Sequence, residues 1–150
     1  MPHSLTDLVV HVIFSTKGRC PLLDDALKPR LFAYVKAIVQ AHGGRLHNIN
    51  GAEDHLHLLL SLPTTMALAD LMRLVKGRSS HWIRQEFPER RHFGWQNGYA
   101  AFSVSRSRLS RVYEYIARQP DHHKKVTFRE EFLAFLRKHE ISYDEKFLKI

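Results

Sequence analysis

A single cysteine, Cys20, stands in 150 residues. It cannot form an internal disulfide or build a multi-cysteine zinc or iron–sulfur site, which fits a reducing, cytoplasmic setting. No apolar run approaches the roughly 18 residues that a membrane helix requires. The stretch from Met1 to Asp7 lacks a basic segment leading into an apolar one, so no secretory signal is expected. Repeats, low-complexity tracts and linkers are also missing, and residues 1–150 are expected to form one domain. Acidic residues are in deficit: 15 Asp+Glu face 23 Lys+Arg, giving a net charge of +8 with the 11 histidines neutral. A surface of that sign attracts polyanions before any specific contact forms, which raises nucleic acid as a partner.

What is present reads as alternating short strands and longer helices. Residues 5–16 are rich in β-branched side chains. Leu8, Val10, Val12 and Phe14 fall on one strand face and Val9, His11 and Ile13 on the other, as in a central strand buried on both sides. Leu27, Leu31, Tyr34, Val35, Ile38 and Ala41 recur at helical spacing, so a helix over 25–42 is expected, with Asp24 and Asp25 as caps and Gly43-Gly44 closing it. Residues 45–50 and 54–62 read as a hairpin turning at Asn50-Gly51. A second helix, capped by Thr64 or Thr65, runs to Phe87 with Leu68, Leu71, Met72, Val75, Trp82 and Ile83 as its stripe. A strand over 95–104, broken at Asn97-Gly98, precedes a helix over 107–119 that Pro120 stops. Thr127 and Glu130 form a capping box for a last helix through about Lys138. The order βαββαβ predicts an α+β, ferredoxin-like split βαβ fold: an antiparallel sheet with helices on one face, the other face free for a ligand or partner, plus C-terminal helices.

The stretch His55-Leu-His57-Leu-Leu-Leu-Ser-Leu62 carries the most chemistry. Alternation puts Leu56, Leu58, Leu60 and Leu62 toward the helices and His55 with His57 on the opposite face. Two imidazoles one pleat repeat apart can share a divalent cation or a phosphate oxygen. Spacing alone favours two histidines that fall on a half-solvated face, because HxH recurs by chance. A metal site would need a third ligand.

On the helix over 107–119 the apolar stripe reads Leu109, Val112, Tyr113 and Ile116, which assigns Tyr113 to the core. Tyr115 falls on a polar face with Arg108, Arg111, Gln119 and His122, and Tyr115 and Gln119 are neighbours one turn apart. Tyr115 is then either an ordinary exposed aromatic or a nucleophile with Gln119 offering its amide oxygen to a metal. A phenol with pKa near 10 attacks a phosphodiester poorly unless the phosphate is polarised, which a histidine-bound divalent ion does. A covalent phosphotyrosine would conserve the phosphodiester energy for rejoining.

Glu53-Asp54-His55-Leu56-His57 through Pro63 resembles the HUH motif, and Tyr113-Glu-Tyr115-Ile-Ala-Arg-Gln119 resembles the tyrosine-helix pattern Tyr-x-x-x-Gln. In this order and inside a βαββαβ pattern, they resemble the single-tyrosine HUH transposases of the small "IS two hundred" insertion sequences and their relatives associated with repetitive extragenic palindromes. The likeness extends over nearly the whole chain, including Lys76-Gly-Arg78-Ser-Ser80 and a tail from Phe128 to Leu148. It implies a metal-dependent enzyme that cuts and rejoins single-stranded DNA beside hairpin ends with Mg²⁺ or Mn²⁺. The tyrosine takes the 5′-phosphate and leaves a free 3′-OH. Carried over by residue, His55, His57 and Gln119 would hold the metal and Tyr115 would be the nucleophile. A homodimer is implied too, and the short tail ending at Ile150 agrees with it.

Around these, Asp54 is placed to orient an imidazole or to serve the hairpin. Arg73, Lys76, Arg78, Arg84, Arg106, Arg108 and Arg111 are candidate phosphate contacts, each also readable as part of a solvated basic face. The run His122-His123-Lys124-Lys125 could touch DNA or complement a helix C-terminus. Trp95 and Tyr99 read as packing or as base-stacking platforms. His11 reads as a structural histidine and Cys20 as inert. Two other functions stay open: a domesticated HUH nickase serving host DNA, and a non-catalytic RNA- or DNA-binding module on the same fold.

Overall fold

In a computed structural model, residues 4–145 are described. The first residues of the N-terminal stretch and the end of the Phe128–Leu148 tail lie outside them. Strands β1 (Val9–Ser15), β2 (Arg45–Gly51), β3 (His55–Ser61) and β4 (Ala100–Val104) form an antiparallel sheet in the order β2-β3-β1-β4. The helices are α1 (Leu27–Ala41), α2 (Leu68–Glu86), α3 (Leu109–Ala117), α4 (Gln119–His122) and α5 (Phe128–Lys138). The expected α+β, ferredoxin-like architecture is the one observed.

The period-two alternation holds. Val12 and Phe14 of β1 and Leu56, Leu58 and Leu60 of β3 pack with Leu31, Val35, Leu71, Met72 and Val75 of α1 and α2 in one core. Asp24 caps α1 through Oδ1, which accepts from the Leu27 amide at 2.9 Å. Helix α2 starts later than expected: its N-cap is Ala67, with no side-chain cap, rather than Thr64 or Thr65. It runs unbroken through Gly77. Trp95 lies outside β4, joined to Thr16 by an isolated bridge. Its indole packs edge-on against Phe14 and Phe93 and donates to Ser79 Oγ at 2.9 Å, so this aromatic serves packing.

The hairpin between β2 and β3 departs from expectation. Asn50 and Gly51 remain in the strand, paired with His57 and Leu56, and the turn falls at residues 52–54. Gly51 is required there by crowding: a Cβ would lie 2.0 Å from the His55 carbonyl oxygen.

The largest correction concerns the second face of the sheet. It was expected to be free, and α3 and α5 cover it. Helix α5 seats Phe128, Phe132 and Leu136 on Ile13, Ala100 and Phe102. Helix α3 seats Ile116 on Val9 and Leu59. Two asparagines of β2 tie α3 down, Asn48 Nδ2 donating to the Tyr113 carbonyl and Asn50 Nδ2 to that of Ala117, each at 3.1 Å. With apolar side chains on both faces of β1 and β3, each face needs a cover, because exposing either would leave apolar surface in water.

Candidate active site

His55 and His57 point from β3 into the layer between the sheet and the C-terminal helices, and both are completely buried. The half-solvated face is therefore not what the chain builds around them. His55 Nδ1 lies 2.8 Å from Asp54 Oδ1, so the carboxylate takes the Nδ1 proton and turns the Nε2 lone pair inward. Burial alone would raise the Asp54 pKa, but this hydrogen bond and the imidazole's charge hold it below the usual value. His57 Nδ1 lies 2.7 Å from His11 Nε2, and the two rings stack. His11 thus acts as expected of a structural histidine, orienting its neighbour. Burial lowers the pKa of both rings, that of His57 to about 4. Both are neutral imidazoles, the state in which a ring nitrogen can ligate a metal.

Helix α3 shows which tyrosine it turns inward. Tyr113 was assigned to the core, yet it is 43% exposed. Tyr115 instead packs beside Leu109, Val112 and Ile116. The inward face follows positions 109, 112, 115, 116 and 119, a regular three-and-four spacing on which Tyr113 has no place. Helix α3 ends at Ala117, and Gln119 opens the short α4, with Pro120 in its first turn where a proline is tolerated. Gln119 is fully buried and its Oε1 lies 3.2 Å from His55 Nε2.

At the centre sits a residue that the sequence reading missed, Glu131 of α5, only 3% exposed. Its Oε1 lies 2.9 Å from His57 Nε2 and 3.1 Å from His123 Nε2. Its Oε2 accepts from Gln119 Nε2 at 3.1 Å and from the Tyr115 hydroxyl. Burial would raise the Glu131 pKa, but the hydrogen bonds from His123 and His57 hold it below the usual carboxylate range. Burial and the Glu131 charge in turn push the Tyr115 phenol above its ordinary value, so the phenol keeps its proton here. A signal for Glu131 existed: it breaks an otherwise apolar stripe of Phe128, Phe132, Phe135 and Leu136. An acid on a buried stripe requires partners.

Ligand atoms of His55, His57, His123 and Glu131 all lie within 4.8 Å of one another. The hydrogen-bond pattern fits a cation. With the Nδ1 proton on Asp54, His55 Nε2 is an acceptor, and it faces Gln119 Oε1 and, at 3.6 Å, Glu131 Oε1. Three acceptors converging in a buried space need a positive charge among them.

The candidate phosphate contacts divide. Arg73, Lys76, Arg78 and Arg84 belong to α2, on the side of the sheet away from the histidines. Lys76 donates to the carbonyls of Gln96 (2.8 Å) and Gly98 (2.5 Å), and Arg84 to that of Phe93 (3.0 Å), so both hold loops. Arg106 makes a two-pronged pair with Asp7. Arg108 and Arg111 stand exposed beside Tyr115, lining one cleft with it.

The profile of the family described as "Transposase IS200 like" matches residues 4–119. The chain belongs to this transposase family. Curated relatives include the transposase for insertion sequence element IS200 of Salmonella typhimurium, 22% identical over 83% of this chain and 84% of that protein. Another is the ISDra2 transposase TnpA of Deinococcus radiodurans, 26% identical over 76% of this chain and 85% of that protein. A solved putative transposase from Deinococcus radiodurans superposes with a TM-score of 0.65 at 25% identity, covering 80% of this chain and 96% of that one. A REP-associated tyrosine transposase bound to a REP hairpin shares the fold, with a TM-score of 0.63 at 13% identity over 84% of this chain and 74% of that one. This IS200-like transposase is thus a DNA-binding, DNA-processing enzyme of the HUH class. No helix among its described residues is long and apolar enough to cross a membrane.

Proposed function

We propose that this transposase cuts and rejoins single-stranded DNA beside hairpin ends through a 5′-phosphotyrosine formed on Tyr115, mobilising an insertion sequence. The observation that carries this reading is the convergence of Tyr115, Gln119, His55 and His57 in one layer between sheet and helices. Tyr115 Oη attacks the phosphorus, the bond to the 3′ oxygen breaks, and that oxygen leaves as a 3′-OH after taking a proton. Resealing reverses the exchange. His55, His57 and Gln119 are the ligands that we assign to Mg²⁺ or Mn²⁺, and the cluster adds His123 and Glu131 as further candidates. When bound, the ion supplies Lewis-acid polarisation of the phosphate. Asp54 and His11 fix the two imidazoles from behind.

Hairpin DNA as the substrate is supported by the REP hairpin held by the structural relative. The homodimer implied by the family resemblance belongs to the same proposal, although one chain here already brings Tyr115 to its own histidines.

The test incubates labelled single-stranded DNA from the flanks of the protein's own gene with the enzyme and Mn²⁺ or Mg²⁺, followed by a denaturing protein gel. A labelled covalent band that needs both the metal and Tyr115 is expected. DNA binding without a band under any metal condition would overturn the cleavage reading in favour of a binding module.

A further inference from the structure

A cleft of about 720 Å³ opens beside Tyr115, between α3 and α5 and over the edge strand β4. Its floor differs in character from the buried polar cluster next to it. Phe102 of β4 and Phe135 of α5 stack with centroids 5.4 Å apart and planes inclined by 24°. His139 lies 4.3 Å from Phe102, and Tyr115 meets Phe135 edge-on at 5.7 Å. An aromatic ledge therefore leads from the tyrosine outward. Its lip is cationic: Arg108 and Arg111 from α3 and Lys138 from α5 all line the opening and all are exposed. The acids nearby are engaged, Glu130 with its own helix cap at Thr127 and Glu131 with the histidines.

A planar apolar ledge under a positive rim fits a ligand that alternates flat bases with anionic phosphates. The volume falls in the range of small-molecule sites, room enough for one or two nucleotides. Stacking on aromatic rings tolerates any base, because every base has a π face. Resting on the proposed function, we propose that this cleft binds the unpaired nucleotides adjoining the scissile phosphate. Their bases lie against Phe135 and Phe102, and Arg108, Arg111 and Lys138 hold the flanking phosphates. Half of this site comes from α5, beyond the residues 4–119 that the family profile matches. The chain's own C-terminal helix thereby supplies grip on the strand next to the cut.

The test uses Tyr115→Phe protein, so that no strand is cut, and oligo(dT) carrying 2-aminopurine, with a duplex of equal length as control. Stacking should quench the fluorophore and give preference for the single strand. Ala134→Trp fills the cleft from an exposed position of α5, and Lys138→Ala removes a rim charge without touching the core. Each variant should weaken oligo(dT) binding, Ala134→Trp by about tenfold or more, with an unchanged unfolding temperature. Undiminished binding and quenching in Ala134→Trp would overturn the proposal, as would oligo(dT) that does not bind the parent protein. Neither outcome touches the covalent-adduct assay, which judges the proposed function separately.

Discussion

The Tyr115 hydroxyl donates to the Glu131 carboxylate, the same group that lies against His57, His123 and Gln119. A nucleophile and a candidate metal centre thus share one buried anion, delivered by a helix that follows both motifs in sequence. In this arrangement the carboxylate both balances the imidazole cluster and holds the phenol's proton in place.

Replacing Glu131 with Gln keeps the shape and removes the charge. Mn²⁺ titration by calorimetry should show affinity lowered by at least about tenfold, as expected when a centre loses an anionic donor or a close polar support. Unchanged affinity would leave Glu131 as a clamp on Tyr115 alone.

The two tyrosines separate cleanly. Tyr115→Phe should lose the covalent adduct while retaining DNA binding. Tyr113→Phe, altering an exposed ring, should keep the adduct and shift stability by no more than about 0.5 kcal/mol. Adduct formation by Tyr115→Phe would remove it as the nucleophile.

Gly51→Ala tests the tight passage from β2 to β3. Its Cβ would sit 2.0 Å from the His55 carbonyl oxygen and 3.0 Å from the carbonyl carbon, so backbone must shift. A loss of about 1–3 kcal/mol in chemical unfolding is expected, as for overpacking elsewhere. Metal affinity should fall with it, because the displaced residue carries a proposed ligand.

Acid should destabilise the metal-free protein before its carboxylates titrate. His57 is held at about 4, chiefly by burial, and His11 is lowered too. Above about pH 6.5 the rings are neutral in both folded and unfolded chains. As pH falls from there toward about 4, the unfolded chain takes up protons that the native state refuses, and stability drops. His57 alone accounts for up to about 3 kcal/mol over that window. Urea midpoints measured in chelator from neutral pH downward should fall; a flat profile would mean that the rings are not buried neutral.

The arginines should divide by face. Arg111→Ala, beside Tyr115, should weaken single-stranded DNA binding and flatten its salt dependence by about one phosphate contact. Arg73→Ala, whose side chain pairs with Asp70 on the far side of the sheet, should do neither.

The sequence by itself determined the sheet, the helices and the two motifs, because these are written in local periodicity. Alternation in His55–Ser61 separated leucines from histidines before any coordinate was known, and Thr127 with Glu130 marked the start of α5. The Asp54–His55 contact was legible for the same reason, being between chain neighbours. Tertiary structure decided the rest. Which tyrosine turns inward depends on the docking of α3 through Asn48 and Asn50, and the stripe of a nine-residue helix is too short to fix its rotation unaided. The second face of the sheet looked available because its covering helices come last in the chain. His11 meets His57 across 46 positions, and Glu131 meets it across 74. Pairings that long carry no periodic trace in the sequence. They exist because a carboxylate on a buried helix face must find donors or a cation, and the histidine strand is where the fold provides them.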